Sequence, residues 1–260
     1  MNSKPLVLTL SLLSTSVFAQ KRLASQVIKW SEQEVIERPI AQQRKILETT
    51  TPTLSLFKVH ATTLYPKGFL KEHYTQANEE MLIIKEGVLH LTINGVSKDL
   101  PAGSLALIMP EDTRKLENTS SQNVTYYVFQ FFSKDSTNTA RGKSSGGSVM
   151  IPWEEAKFIE NPKGGRKDFL NRPTNMLNRL EMHTTTLNPG IMSHAAHTHL
   201  PAEIILPIQL EPGSSQVEEY INEKTHAATD GDVIFLQSMD LHGIKNVGKK
   251  QVTYFAFQFD

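Results

Sequence analysis

His197 and His199 stand one residue apart in GIMSHAAHTHLPAEIILPI, Glu203 follows four positions later, and His242 sits in the later segment GDVIFLQSMDLHGIKN. On an extended chain, residues two apart face the same side, so the first two imidazoles can aim at one point. Glu203 can join them from the start of the apolar strand EIILPI, and His242 arrives from a separate strand. Imidazole and carboxylate without thiolate suit one divalent transition metal, manganese or iron first and zinc or nickel after them, with positions left for water or substrate. Such an ion acts as a Lewis acid or holds a bidentate substrate. Within this set Glu203 serves as ligand or as base. His194, three residues before His197, reads as a rim residue behind the ligands, and Glu181 and Asp240 flank the set as candidates for proton transfer.

Strands of an internally repeated unit must position these groups. Trp30 and Trp153 each open a half, VHATTLYPKG at 59–68 answers MHTTTLNPG at 182–190, and YYVFQF at 126–131 answers YFAFQF at 254–259. The first pairs lie 123 residues apart and the last 128, which places about five extra residues in the second copy, expected in a hairpin around Gln216 to Thr229. Apolar residues recur with the short period of strands, and turn residues punctuate them, so the fold class is all-β, a sandwich or barrel. Helical patterning is confined to short candidates at 31–37 and 153–159. The polar, Gly-rich stretch 136–149 reads as a linker between copies at 20–135 and 150–260. His60 and His183 recur in both copies and are assigned to the fold or a shared surface. Met182, Met192 and Met239 are expected to pack the barrel lining, and Tyr254, Phe255 and Phe257 the core.

With these residues in place, the sequence resembles the cupins, specifically a bicupin, and the resemblance implies two tandem double-stranded β-helix (jelly-roll) barrels. The family's first motif runs from Gly through His-x-His to Glu and a closing Gly. It is matched by Gly190, His197, His199 and Glu203, with Gln209 or Leu210 where the closing Gly belongs. The second motif is matched by Gly231, His242 and Asn246. In the first copy the same positions hold Gly68, His73, Thr75, Glu79 or Glu80, and Gly87, then Gly103, Arg114 and Asn118. A permanent cation where a metal nitrogen belongs argues against a metal in this half. Arg114 then contacts a ligand's carboxylate or phosphate, or pairs with Glu79 or Glu80 in a half kept for packing. N-terminal strands around Val27 to Trp30 can exchange into the other barrel.

Composition narrows the functional classes. The 260 residues contain no cysteine, which excludes disulfides, thiolate metal sites and a Cys nucleophile. Twenty-seven basic residues balance 27 acidic ones, so there is no electrostatic footprint for nucleic acid or an anionic membrane. Residues 1–19, with Lys4, an apolar run and small residues at Val17 and Ala19, read as a signal peptide cleaved before Gln20, hence a periplasmic or secreted protein. The expected partner is a small molecule, with self-association through cupin sheets. The resemblance implies a metal-dependent enzyme of dioxygenase, isomerase or lyase type, or else a sugar- or carboxylate-binding module. Ureidoglycine aminohydrolase bicupins are a further alternative, although HTHLPAE departs from their ligand order. A storage role has no need of four ligands.

Overall fold

The computed structural model describes residues 22–73, 78–210 and 213–260; the expected signal peptide and Thr75 lie outside them. The fold is all-β. Each half contributes a seven-stranded sheet and a smaller one. In the first half the large sheet runs Val149–Ile151, Leu105–Ile108, Glu79–Glu86, Val124–Ser133, Leu54–Leu64, Ala41–Thr49 and Val35–Arg38. In the second it runs Gln26–Ile28, Val233–Leu236, Ala202–Ile208, Val252–Phe259, Leu180–Leu187, Gly164–Arg172 and Phe158–Asn161.

Strand periodicity explains what each sheet buries. Along Val124–Ser133, Tyr127, Phe129 and Phe131 face one way and Tyr126, Val128 and Gln130 the other. Phe255, Phe257 and Phe259 repeat the arrangement on Val252–Phe259. The two aromatic rows meet between the large sheets, where Phe57 and Phe259 lie 4.7 Å apart, and Phe129 and Phe257 cross edge to face at 4.9 Å. One apolar cluster therefore spans both halves, while a separate cluster fills the interior of each. A fully buried Phe contributes roughly 1.5–3 kcal/mol, so this row is a principal bond between the halves.

The halves also exchange strands. Gln26–Ile28 pairs with Val233–Leu236, and at the matching place in the repeat Val149–Ile151 pairs with Leu105–Ile108. Each exchanged strand leads into a tryptophan that lies on a glycine of the other half. A Cβ on Gly231 would stand 2.9 Å from Trp30, and one on Gly103 would stand 2.6 Å from Trp153. Both glycines have positive φ, +89° and +85°, so the position needs glycine twice over.

Several expectations change. The candidates at 31–37 and 153–159 form no α-helix: the first becomes a single 3-10 turn, Trp30–Glu32, followed by the strand Val35–Arg38, and the second ends in the strand Phe158–Asn161. Pairing with a neighbouring strand overrides weak helical propensity in both. Between the halves lies a six-residue helix, Thr139–Ser144, capped by Asn138 and held by Arg141 Nε donating to Thr174 O. The added residues are not in the Gln216–Thr229 hairpin, whose two-residue turn matches that of the first half. They lie at 209–216, where the first half needs only Gly87 between strands. Among the described residues no helix is long and apolar enough to cross a membrane.

Candidate metal centre

Glu203 lies on the strand Ala202–Ile208, fixed between its neighbours by pairing with Leu236 and Gln258. The small sheet Lys224–Ala228, Val217–Ile221, His242–Asn246 faces it and carries His242. His197 and His199 come from the loop 190–201, where the first half has the strand Phe69–His73. That loop is stitched to the His242 strand by reciprocal bonds, His197 N–H to His242 O and His242 N–H to His197 O, both 3.0 Å. Asn246 secures the strand's far end, its side chain donating to Leu187 O and Lys250 O; Asn118 does the same in the first half. The motif asparagines are thus ties between strands.

One ring nitrogen from each of His197, His199 and His242 lies within 4.8 Å of the others. His199 and His242 each direct Nδ1 at a backbone carbonyl, Pro201 O and Asp240 O, both at 2.8 Å. A proton at Nδ1 leaves Nε2 with its lone pair facing the centre. Glu203 Oε2 stands 2.8 Å from His199 Nε2 and 3.2 Å from His242 Nε2. The second contact is poorly aligned, and the buried His242 Nε2 has no hydrogen bond. A buried, unsatisfied nitrogen at the convergence of three imidazoles and a carboxylate fits a divalent cation.

Electrostatics prepares the donors. Although burial pushes its pKa up, the hydrogen bond with His199 and the neighbouring His242 imidazole hold Glu203 down at about 2, so it is an anion and a poor base. Burial and the neighbouring imidazoles lower the His197 pKa. His199 is raised, since Glu203 outweighs the opposing pull of burial. His194 is exposed at the rim, its ring edge-on to His197 at 4.2 Å. The side chain of Asp240 turns to Ser25 beside the exchanged N-terminal strand, so its role toward His242 runs through its carbonyl.

The cavity over this cluster has a volume of about 470 Å³. Alternation on two strands supplies its walls: Glu181, His183 and Thr185 from one, Tyr254 and Gln258 from the other, with Arg166 and Arg179 beside them. Glu181 accepts from Arg166 at 2.9 Å and pairs with His183 Nδ1 at 2.8 Å. Burial opposes ionisation of Glu181, but the His183 bond and both arginines hold its pKa low. His183 and His60 therefore line cavities, contrary to their expected role in the fold or a shared surface. Met182 is buried between the large sheets, and Met192 and Met239 are exposed, so none packs the interior. Glu219, which sequence reasoning passed over, is fully buried opposite Ile244 with neither oxygen bonded. Burial and the charge of Glu203 push its pKa far up.

The first half keeps this layout with other groups. Glu80, not Glu79, occupies the place of Glu203, since Glu80 pairs with Gln130 as Glu203 does with Gln258. Arg114 occupies the place of His242 and forms a buried ion pair with Glu80 Oε2. His73 is exposed opposite Arg114. Glu79 faces the other way, accepting from Thr174 Oγ1 at 2.6 Å and Met176 N at 3.1 Å.

No protein-family model matches the sequence, and no curated protein does. Solved structures do. Ylba from E. coli superposes with a TM-score of 0.71 at 16% identity, covering 94% of this chain and 95% of that one. A putative glyoxylate-induced protein from Pseudomonas aeruginosa gives 0.72 at 16%, covering 94% and 92%. Oxalate decarboxylase from Bacillus subtilis gives 0.68 at 12%, covering 92% and 78%. The likeness is one of fold, the all-β cupin fold.

Proposed function

We propose that this chain is an exported bicupin whose second half is a metal-dependent enzyme site for a small carboxylate-bearing molecule, of lyase, isomerase or dioxygenase type, and whose first half holds no metal. The observation that carries the reading is the buried, unbonded His242 Nε2 where His197, His199 and Glu203 converge. Those four residues would hold the ion. Manganese or iron suits the donor set, and the fold neighbour oxalate decarboxylase from Bacillus subtilis has Mn(II) centres. A bound divalent ion supplies Lewis-acid polarisation of an oxygen coordinated to it.

The chain's own residues supply the rest. Glu203, anionic and turned toward the imidazoles, acts as ligand and leaves proton transfer to other groups. Arg166 and Arg179 give the cavity wall positive charge that orients a carboxylate. The Glu181–His183 pair holds a proton at His183 Nδ1, and burial keeps the Tyr254 hydroxyl protonated as a donor. The leader at 1–19 supports export, and a near-neutral surface directs attention to the cavity.

Elemental analysis of the purified mature chain tests the assignment. About one transition metal per chain is expected, lost in His197→Ala and His242→Ala and retained in His73→Ala. Two equivalents in the wild type, or one retained in His242→Ala, would overturn it. Oxygen uptake and product analysis across small carboxylates then separate enzyme from binding module, since a module returns its ligand unchanged.

A further inference from the structure

Among the described residues, the interior of the first half contains two buried donors with nothing to bind. Arg114 has only 7% of its side chain exposed; Nη2 is committed to Glu80, while Nη1 is buried without a partner. The Tyr126 hydroxyl, 1% exposed as a residue, lies near Thr62 without an aligned hydrogen bond. Both residues line one cavity of about 340 Å³, whose walls include Leu82, Leu116 and Val128. A half retained only for packing would fill such a space with apolar side chains, because buried unsatisfied N–H and O–H groups destabilise a fold. Room for a small molecule together with two unsatisfied donors describes a binding site.

Charge selects the class of ligand. Glu80 already neutralises Arg114, and its other oxygen accepts from Gln130 at 2.7 Å. A second carboxylate brought to Arg114 would be buried next to Glu80 and repelled by it. An uncharged oxygen accepts from both donors at no such cost. We infer that the first half binds a small, uncharged, largely apolar molecule through a carbonyl oxygen placed on Arg114 Nη1 and Tyr126 Oη, at a site separate from the metal centre. Loss of the metal ligands in this half is then an exchange of one recognition chemistry for another.

Methyl-labelled mature protein titrated with cyclohexanone, ε-caprolactam and cyclohexanecarboxylate provides the test. Saturable shifts of the Leu82, Leu116 and Val128 methyls are expected with the two carbonyl compounds and not with the carboxylate. Tyr126→Phe removes one hydroxyl and should weaken binding roughly fivefold to tenfold. The paired variant Arg114→Met/Glu80→Gln, which leaves no buried charge unpaired, should abolish it. The inference is overturned if neither carbonyl compound gives saturable shifts, if binding is unchanged in both variants, or if cyclohexanecarboxylate binds more tightly than cyclohexanone.

Discussion

Glu203 and Glu80 occupy the same place on matching strands, each beside a glutamine of the adjoining strand. Around Glu203 stand three imidazoles on a loop and a short strand; beside Glu80 stands the guanidinium of Arg114. The duplicated scaffold thus presents a carboxylate in each interior, and a few positions decide whether three imidazoles or a guanidinium stand beside it. The small sheets differ accordingly. Phe69–His73 is a strand paired with Arg114–Glu117 through one register shift, whereas its counterpart is a loop held by isolated bridges.

The largest effect should come from making one half imitate the other. His242→Arg is expected to abolish metal binding while the protein still folds, because the new guanidinium can pair with Glu203 as Arg114 pairs with Glu80. Metal content and thermal melting report the two results; metal retained in this variant would break the equivalence of the sites. Next comes Glu79, whose counterpart is Ala202. Burial raises its pKa to about 7 from an ordinary 4.5. The folded state therefore binds this proton more tightly than the unfolded chain does. Its contribution is fully present below pH 4.5 and is lost as the pH rises through 7, an effect on the order of 3 kcal/mol. Glu79→Gln should flatten that part of the stability profile in denaturant titrations.

A smaller effect is expected from Gly103→Ala and Gly231→Ala. Each new Cβ meets a tryptophan ring from the exchanged segment, costing roughly 1–3 kcal/mol in either half. Unequal losses would show that the two exchanges are not energetically alike. The smallest change is a gain. Glu219 faces Ile244 as Leu91 faces Leu116, so Glu219→Leu restores the first half's residue and should stabilise the fold by about 1 kcal/mol. Chemical denaturation measures the gain; a loss would show that Glu219 has a partner in the working protein.

Much of this contrast is legible in the sequence because duplication acts as an internal control. His242 against Arg114, with Asn246 and Asn118 at the same remove, is visible without coordinates, whereas grouping Tyr254 with Phe255 and Phe257 as core overlooks the alternation that turns Tyr254 toward the cavity. The choice between Glu79 and Glu80 is not legible, since both are acidic and a shift of one residue reverses the face. Only the register against Gln130 decides it. His60 and His183 recur for a similar reason: both copies have an interior to line, and recurrence alone does not separate a structural residue from one bordering a cavity. Glu219 is not legible because the adjacent acids Glu218 and Glu219 in VEEYI look like a solvated strand until the opposing sheet shows which of them it covers. The place of the added residues at 209–216 is not legible either, because the hairpin after them keeps the same two-residue turn.

The paired exchange of Gln26–Ile28 and Val149–Ile151 has a consequence for how the chain reaches its native state. Gln26 pairs with Phe235, near opposite ends of the polypeptide, so the second half's sheet is complete only when almost all of the chain is available. Closing so long a loop early is entropically unfavourable, and contacts of this separation slow folding. The N-terminal strand must therefore wait, unpaired, while the sequence between assembles around its two interiors. Its docking is expected to come late, and the same step seats Trp30 on Gly231 and adds a second bond between the halves to the aromatic row.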